Sequence, residues 1–519
     1  MPKIVQHCLA FAVGMTLVPV AVARSTDCPE LARPLARPGY SIHIDTTNTI
    51  RKLTPEFFGF NLEWVEFQLS LWDASNRRVN PDAVEWLKAF PGAVYRYPGG
   101  TVANYFDWRM ATGSFASRKP QRAVTWREAL TAEFGPREYL DFVDAVGGRP
   151  WYVLNLYGTL AGELAPPALT KEAADLATFF RQETTSGRPA IYRWELGNEL
   201  DRDRFMWRPE KYVEVATQIM SSVEAADKNA RFVAMSQDWN ASKEKYGIDA
   251  ITYNSVLGKA LNGKVSEFAS HHYYDGRPWG PPVPLQVRQH CRNLNALERS
   301  GAQSPSIWVT EHGRTPKGTP ADSDWKSNWP QSADLSAAIS VADMVIALAS
   351  DPAVKGQFLH ALHATDGPWP LFHRSKDGRI VPSAVYWGLR TLRESMQTDV
   401  LSTRVGSAKR SQFEGGYDLR AVAMTDAKRG QISIWLANRA EASIQVSLKI
   451  PALASVARQA MVAMLDSADP SVNNYGGVTR IRTRSETQAL AFDRDGNATL
   501  RVPASAVMSI SFPGPGDGK

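Results

Sequence analysis

The chain has 519 residues, of which 44% are hydrophobic and 22% charged, a balance typical of a globular protein with a large core. This length predicts more than one domain. The formal net charge of +6 is modest, and basic residues stand beside acidic ones, as in Arg202-Asp203-Arg204. The composition argues against a nucleic-acid partner, while a weak attraction to acidic polysaccharide stays open.

Residues 1–23 have the pattern of a signal peptide. Lys3 gives a short positive start, an apolar run follows from Cys8 to Val22, and Ala21-Val22-Ala23 offers small residues for cleavage. The apolar run is too short, and too interrupted by proline, for a membrane span. We therefore expect a secreted or periplasmic protein without membrane insertion, with a linker over residues 24–40.

The chain has three cysteines, whose pairing depends on the redox state of the compartment. Cys8 leaves with the predicted signal peptide, and Cys28 and Cys291 remain. In an oxidising compartment the two either pair or stay as unrelated thiols. Their distance along the chain leaves both readings open.

Strand-like apolar runs alternate with helix-like runs over residues 51–395. Eight strands are predicted: Phe57 to Leu62, Ala93 to Tyr97, Trp151 to Asn155, Ile191 to Glu195, Phe232 to Met235, Glu267 to Tyr273, Ile307 to Glu311 and Phe358 to His363. Between them the 3.6-residue periodicity predicts helices: Asp82 to Phe90, Pro136 to Val146, Lys171 to Gln182, Pro209 to Ala226, Pro284 to Ser300 and Ala333 to Ser350. This rhythm predicts an α/β chain with a (β/α)8 barrel, whose active-site residues follow the strands.

The character of the chain changes at about residue 396. Short alternating runs separated by turn formers predict an all-β sandwich over residues 396–513. The predicted strands are Leu419 to Met424, Gln431 to Ala437, Ile444 to Ile450, Thr499 to Val502 and Ala506 to Phe512. The run Ser41 to Asp45 predicts that residues 41–50 add a strand to this sandwich, and residues 514–519 form a Gly/Pro tail.

Two of the predicted barrel strands lead into glutamates. One run reads Trp194-Glu195-Leu196-Gly197-Asn198-Glu199, and the other ends at Thr310-Glu311. A lone glutamate at a strand end is more often a solvated rim residue. Two carboxyl groups at the same end of one barrel instead favour glycoside hydrolysis, in which one protonates the leaving oxygen and the other attacks or activates water. We therefore expect a carbohydrate substrate.

Other chemistries lack their motifs. The sequence contains no His-Glu-x-x-His or paired Cys-x-x-Cys metal motif and no Gly-x-Ser-x-Gly elbow. His271 and His272 are adjacent on a strand and point to opposite faces, so they do not form a chelate. Gly99-Gly100 lacks the Lys-Ser/Thr of a phosphate loop. No cofactor or metal is predicted.

Several motifs together carry a family resemblance. They are Gly59-Phe60-Asn61-Leu62-Glu63, Tyr95-Arg96-Tyr97-Pro98-Gly99-Gly100 with Phe106-Asp107-Trp108, Glu195-Leu196-Gly197-Asn198-Glu199, Ser270-His271-His272-Tyr273-Tyr274 and Thr310-Glu311. In order and spacing they resemble the clan A retaining glycoside hydrolases, and most of all the family 51 α-L-arabinofuranosidases. The resemblance spans about residues 41–395.

The resemblance implies a role for each matched residue. Glu199 is the implied acid/base and Glu311 the implied nucleophile, with Arg96 and Tyr274 in contact with the nucleophile. The chemistry agrees, because an acid needs an apolar setting to stay protonated, which Trp194 and Leu196 would supply. Tyr273 and Tyr274 point to opposite faces of a regular strand, so only one of them is expected at the nucleophile.

Further matched residues are implied to bind the sugar. Asn198 is expected to bond the sugar 2-hydroxyl, and Glu63 to hold hydroxyls in the −1 subsite or to pair with Arg96 as a structural residue. Asn155 and His272 are expected at the rim. Most of the 16 tryptophans are expected to fill cores. The candidates for stacking on sugar rings are Trp64, Trp108, Trp279 and Trp369.

Two positions depart from the family pattern. Thr101 stands where the arabinofuranosidases carry Asn, and His312-Gly313-Arg314 replaces an aromatic run after the nucleophile. The resemblance implies that both positions lie near the −1 and +1 subsites. Thr-Glu-His-Gly also resembles families 39 and 79, whose members cleave β-xylosides, glucuronides or bacterial exopolysaccharides. Two other classes stay open: a silent carbohydrate-binding or scaffolding protein, and a polysaccharide lyase with a Tyr, Lys or His base. Fold and mechanism are therefore better predicted than the sugar.

Overall fold

The structure is a computed structural model that describes residues 35–202, 205–238, 243–276, 280–302, 304–319, 321–410, 416–426, 428 and 430–513. The predicted signal peptide, most of the linker and the tail lie outside these residues. Cys291 is disulfide-bonded, and Cys8 and Cys28 lie outside the described residues. The predicted domain limits stay predictions.

Eight parallel strands close into a barrel, which confirms the predicted fold class. In chain order they are β1 Phe58–Asn61, β2 Val94–Tyr97, β3 Arg149–Leu154, β4 Arg193–Leu196, β5 Phe232–Met235, β6 Glu267–Tyr274, β7 Ser306–Arg314 and β8 Val354–His360. Pairing of Gln357 in β8 with Phe58 in β1 closes the ring. The carboxyl ends of all eight strands therefore meet at one face.

Ten α-helices are described. They are α1 Trp64–Leu71, α2 Pro81–Leu87, α3 Pro136–Ala145, α4 Pro166–Thr185, α5 Pro209–Ala226, α6 Lys243–Tyr246, α7 Ala250–Ala260, α8 Val283–Arg299, α9 Leu335–Ala349 and α10 Ala384–Glu394. The six predicted helices are present, α5 with the predicted ends and the others with shifted ends, and α1, α6, α7 and α10 were not predicted. In α1 buried side chains occupy most of the surface, so a 3.6-residue pattern is hard to recognise.

The barrel interior is filled by its own small cluster of apolar side chains. Its buried members are Val94, Trp151, Val233, Ala269, Trp308 and Phe358. A larger core lies between the strands and the surrounding helices. The interior is therefore a packed plug that supports the polar residues at the carboxyl ends of the strands.

A second sheet, mostly antiparallel, forms the sandwich after the barrel. Its strands, in spatial order, are Arg484–Ala491, Ala457–Asp466, Ala506–Phe512, Gln431–Asn438, Leu419–Asp426, Asp399–Ser407, Tyr40–Lys52, Ile444–Lys449 and Asn497–Val502, with Leu35–Ala36 beside Asp399–Ser407. Alternate side chains enclose a separate apolar core. The strand from the start of the chain thus lies inside the second domain.

Buried charges join the sandwich to the barrel. Asp343 in α9 accepts hydrogen bonds from Arg420 and from Nε of Arg439, the latter at 2.7 Å. Arg439 also donates from Nη2 to Asp275, just after β6, at 2.8 Å. Removing one partner would leave a buried charge unpaired.

Within the described ranges no single helix is long and apolar enough to cross a bilayer. Two consecutive helices with a 50° bend between them have that length and composition only when taken together: Lys326–Ser332 and Leu335–Ala349.

Candidate active site

A cavity of about 870 Å³ opens at the carboxyl ends of the barrel strands. Its wall carries both predicted glutamates, Glu199 and Glu311, together with Glu63 and Thr101. Trp369 also lines the cavity, whereas Trp64 is fully buried. Trp279 lies outside the described residues. The site is therefore where the barrel architecture predicts it.

Glu199 and Glu311 face each other across a short gap. Carboxylate oxygens of the two residues, with a ring nitrogen of His271, lie within 4.8 Å of one another. Retaining glycosidases place their carboxyl groups about 5–5.5 Å apart, whereas inverting enzymes leave about 6.5–9.5 Å for a water. The spacing fits direct attack. The same three groups have the spacing of metal ligands, and each already bonds a protein partner.

Glu311 is held as an anion. Oε1 accepts a hydrogen bond from Nη1 of Arg96 at 2.7 Å, and Oε2 accepts one from the Tyr273 hydroxyl at 2.8 Å. Burial alone would raise the pKa of Glu311, but the charges of His271, His360 and Arg96 and the Tyr273 hydrogen bond outweigh it and lower the pKa well below its ordinary range. An ionised carboxylate is what a nucleophile requires.

Arg96, fully buried on β2, is fixed by four other bonds. Glu195 accepts from Nε at 2.7 Å and from Nη2 at 2.9 Å, Asn61 accepts from Nη1 at 2.7 Å, and Asn198 accepts from Nη2 at 2.7 Å. Sequence reasoning did not assign Glu195 a role. Its signal is a charged residue inside an apolar central strand, between Trp194 and Leu196.

The predicted contact between Tyr274 and the nucleophile is wrong. The Tyr274 hydroxyl lies 2.9 Å from Nδ1 of His312, and Tyr273 takes its expected place at Glu311. Strand β6 does alternate, as expected, but its inward residues are Ala269, which lies in the barrel plug, His271 and Tyr273. The alternation was predicted correctly and its phase was not.

An irregularity in β7 changes which of its residues lie opposite the inward residues of β6. Trp308 points into the barrel plug, and the register between β6 and β7 then shifts, so that Ser270 pairs with Val309 but His271 pairs with Glu311. A bulge of this kind changes which residues face inward. It also turns His312 away from the cavity, and the His312 ring contacts Gln357 instead. The expectation that His312 lies near a sugar subsite is therefore wrong.

His272 is also misplaced by the sequence prediction. It is buried on the outer side of β6, with Nδ1 at 3.3 Å from Oε1 of Gln286 and Nε2 at 3.3 Å from the Ser270 hydroxyl. The histidine that reaches the cavity is His271, which sequence reasoning left without a role. Nδ1 of His271 lies 2.7 Å from Oε1 of Glu199.

Both ring nitrogens of His271 face acceptors. Nε2 lies 3.1 Å from the Thr310 hydroxyl, which itself donates to Oε1 of Glu195 at 3.4 Å and so accepts from the ring. Burial would lower the pKa of His271, but the carboxylates of Glu311 and Glu199 outweigh it and raise the pKa above 6.5. A ring that donates at both nitrogens is an imidazolium.

Glu199 has a polar setting, not the apolar one expected. Trp194 and Leu196 pack in the core outside the barrel strands, while Nη1 of Arg202 donates to Oε1 of Glu199 at 3.2 Å. Burial would raise the pKa of Glu199, but Arg202 and the His271 hydrogen bond lower it below its ordinary value. In the free protein the acidic proton therefore lies on His271, next to Glu199.

Asn198 presents an unused donor. Its Oδ1 accepts a hydrogen bond from Arg96. Its main-chain amide donates to Oδ1 of Asn104 at 3.2 Å, and its main-chain oxygen accepts from Nδ2 of Asn104 at 2.7 Å. Nδ2 is buried without a partner in the described part of the chain. A buried donor without a partner is costly. A sugar hydroxyl would satisfy it.

Glu63 follows β1 and lies beside Glu311. A Cβ added to Gly100 would come within 2.9 Å of Oε1 of Glu311 and 3.0 Å of Oε1 of Glu63, so glycine gives both carboxyls their room. Burial, with the nearby charges of Glu66 and Glu311, raises the pKa of Glu63 to about 8. The alternative pairing with Arg96 is wrong, because Arg96 bonds other groups. Glu63 is thus a neutral hydrogen-bonding group near pH 7.

Asn155 and Trp108 are not brought to this cavity. Oδ1 of Asn155 accepts from the main-chain amides of Tyr157 and Gly158, at 2.9 and 2.8 Å, and shapes a turn. Trp108 packs against Phe179, with ring centroids 5.3 Å apart. Both residues line a separate, smaller cavity. Their predicted contact with the sugar is therefore wrong.

Part of the chain is similar in sequence to known α-L-arabinofuranosidases. Residues 86–279 match the model of the α-L-arabinofuranosidase 1 domain. The probable α-L-arabinofuranosidase C of Aspergillus clavatus is 25% identical over 281 residues, which are 50% of this chain and 54% of that protein. The intracellular exo-α-(1→5)-L-arabinofuranosidase of Streptomyces lividans is 24% identical over 45% of this chain and 36% of that protein. The chain matches about half the length of its Aspergillus relative.

Solved structures support the fold. A family 51 α-L-arabinofuranosidase from Bifidobacterium longum superposes with a TM-score of 0.75 and 15% identity, over 92% of this chain and 100% of that one. The arabinose complex of the Thermotoga maritima α-L-arabinofuranosidase gives 0.73 and 16%, over 91% and 99%. The resemblance indicated by the motifs is therefore confirmed: this chain is similar in sequence to α-L-arabinofuranosidases and in fold to the solved family 51 α-L-arabinofuranosidases.

Proposed function

We propose that the protein is a retaining glycoside hydrolase that uses two glutamates in a double displacement. The observation that carries the proposal is the close approach of Glu199 and Glu311, within 4.8 Å, with Glu311 held as an anion by Arg96 and Tyr273. Neither a silent binding protein nor a lyase needs two carboxyls at this spacing.

In the first step Glu311 attacks the anomeric carbon, and the bond to the leaving oxygen breaks as that oxygen takes a proton from Glu199. The negative charge of Glu311 is the largest influence that raises the pKa of His271. Forming the glycosyl ester removes that charge, so the His271 proton moves to Glu199 as it is needed. The site thus couples proton delivery to nucleophilic attack.

In the second step Glu199 accepts a proton from water, and the water oxygen attacks the anomeric carbon. The ester to Glu311 breaks, and the sugar leaves with its original anomeric configuration. Nδ2 of Asn198 donates to the 2-hydroxyl, and the protonated Glu63 bonds a neighbouring hydroxyl. Both bonds restrain the ring during the change of charge.

An L-arabinofuranosyl unit is the proposed sugar. The names of the relatives and the matched residues Glu63, Arg96 and Asn198 support it. Thr101, which lines the cavity, lacks the amide found in the family. We therefore expect measurable but poor hydrolysis of aryl α-L-arabinofuranosides, improved in Thr101→Asn. Cleavage of a β-xyloside, a glucuronide or an internal linkage, without any arabinofuranoside activity, would keep the mechanism and overturn the sugar.

The roles of the two glutamates are tested by comparing variants on an activated aryl glycoside. Glu311→Ala should abolish turnover, while Glu199→Ala should retain it in part and be rescued by azide, since only protonation and water activation are lost. Glu224→Ala, an exposed glutamate on α5, is the control. Equal loss in both site variants without azide rescue would contradict the assignment, and an unsaturated product absorbing in the ultraviolet would indicate a lyase.

We also propose export to the periplasm or the medium, on the basis of the pattern in residues 1–23. Expression in the native host followed by mass spectrometry of the secreted fraction tests this. A mature chain starting near Arg24 is expected, and a full-length intracellular chain would contradict it.

A further inference from the structure

One wall of the active-site cavity is a face of helix α8. Leu285, Arg288, Gln289 and Arg292 line the cavity. Their spacing of three, four and seven residues places them on one side of the helix. The opposite side carries buried apolar residues, Val287, Cys291 and Leu294. The cavity therefore meets a defined polar stripe of this helix.

Two positive charges on this stripe have no counter-charge among the residues that the structure describes. Arg288 and Arg292 are exposed, and neither has an ion pair or a hydrogen bond with the residues that the structure describes. By contrast Arg202, in the same cavity, bonds Glu199 at 3.2 Å, Asp201 at 3.2 Å and Asp238 at 2.6 Å. Like charges four residues apart destabilise a helix slightly. The pair is therefore a cost to the free protein that an anionic ligand would offset.

The helix is fixed relative to the catalytic residues. Nε2 of Gln286 donates to the main-chain oxygen of Tyr273 at 2.7 Å, and the Tyr273 hydroxyl bonds Glu311. The helix positions that carry Arg288 and Arg292 are thus fixed with respect to the nucleophile.

We propose that Arg288 and Arg292 form a subsite in this cavity for the carboxylate of a uronic acid unit of the substrate. The planar guanidinium fork matches a carboxylate with two parallel hydrogen bonds, which a neutral sugar does not offer. The cavity volume of about 870 Å³ is large for a ligand site and exceeds one sugar ring. This subsite rests on the proposed function, and it narrows the substrate class to acidic glycans.

Calorimetry tests the subsite without turnover. The ligands are tri-galacturonate and a glucuronate-substituted xylo-oligosaccharide, with neutral xylotriose for comparison. At least one acidic ligand should bind wild-type protein, lose affinity roughly 10-fold or more in Arg288→Gln/Arg292→Gln, and weaken as salt rises. Arg299→Gln removes a charge from the same helix outside the cavity and should bind as wild type. Binding of neither acidic ligand, or equal binding by the double variant, would overturn the subsite.

Hydrolysis of a neutral aryl α-L-arabinofuranoside separates the two proposals. On this substrate the double variant should lose far less kcat/KM than it loses affinity for the acidic ligands, because the neutral substrate has no carboxylate for the arginines. If the neutral substrate is cleaved and no acidic ligand binds, the subsite fails and the glycosidase proposal stands. If acidic ligands bind through the arginines and no glycoside is cleaved, the glycosidase proposal fails and the subsite stands.

Discussion

Protonation at single residues decides what this site can do. Three neighbouring groups are held in different states: Glu311 ionised, Glu63 protonated near pH 7, and His271 protonated beside Glu199. Carboxyls of one kind thus acquire separate roles from their surroundings, through burial and neighbouring charge.

His271 should set the alkaline limb of the pH–rate profile. Its raised pKa keeps the acidic proton on the His271–Glu199 pair above pH 6.5, and activity should fall when that proton leaves. In His271→Asn only Glu199 can hold the proton, and Arg202 still lowers its pKa. The limb of kcat/KM should therefore move below pH 6.5. An unmoved limb in a variant of unchanged Tm would contradict this assignment.

Glu63 should make stability depend on pH. Its pKa in the folded protein, about 8, lies above the ordinary value of 4.5, so the folded state keeps a proton that the unfolded state has lost. Stability from this group is therefore present below pH 4.5 and is lost as pH rises through 8. The Tm of Glu63→Gln, relative to wild type, should climb between pH 5 and about 8. A constant difference, as expected for the exposed control Glu85→Gln, would contradict it.

At the scale of elements, strand β6 determines which side chains reach the nucleophile. Its inward residues rise from Ala269 in the plug through His271 to Tyr273, while His272 and Tyr274 face outward. The shifted register with β7 brings His271 opposite Glu311. Two adjacent tyrosines thus have different tasks.

The tyrosine pair offers a matched test. Tyr273→Phe should lower kcat by roughly 10-fold to 1000-fold, because it removes a donor from Glu311. Tyr274→Phe loses a bond to His312 instead, and should lower the Tm with nearly unchanged kcat. Steady-state kinetics with thermal unfolding on both variants checks this. A large kcat loss confined to Tyr274→Phe would restore the prediction made from sequence.

Part of the fold and part of the site were predictable from the sequence. The eight strands were predictable because their apolar runs are distinct. The meeting of Glu199, Glu311 and Arg96 at one end of the barrel was predictable because these residues follow or occupy those runs. The set of β6 residues that faces inward was not predictable, because the adjacent pairs His271-His272 and Tyr273-Tyr274 give the same pattern whichever member of each pair faces inward. Long-range partners, such as Glu195 for Arg96, become visible only when the barrel closes.

At the scale of the whole molecule, the sandwich supports the barrel through buried ion pairs. Arg439 reaches from the end of a sandwich strand to Asp343 in α9 and to Asp275 after β6. All three side chains are at most 13% exposed. The strand that carries His271 and Tyr273 is therefore tied to the second domain.

Arg439→Ala should destabilise the molecule strongly. Two buried carboxylates would lose their common partner, at a cost of about 3–5 kcal/mol in the free energy of unfolding. Arg494→Ala, a sandwich arginine whose side chain is 91% exposed, should change it by less than about 0.5 kcal/mol. Denaturant unfolding compares them. Equal, small losses would show that the buried cluster does not hold the domains together.

The central claim, a double displacement through Glu311, is tested most directly by the configuration of the first product. Proton NMR of aryl α-L-arabinofuranoside hydrolysis, recorded before mutarotation, distinguishes the anomers. The spacing of Glu199 and Glu311, within 4.8 Å, predicts that the α-anomer of the sugar forms first. First appearance of the β-anomer would mean inversion and would contradict the mechanism.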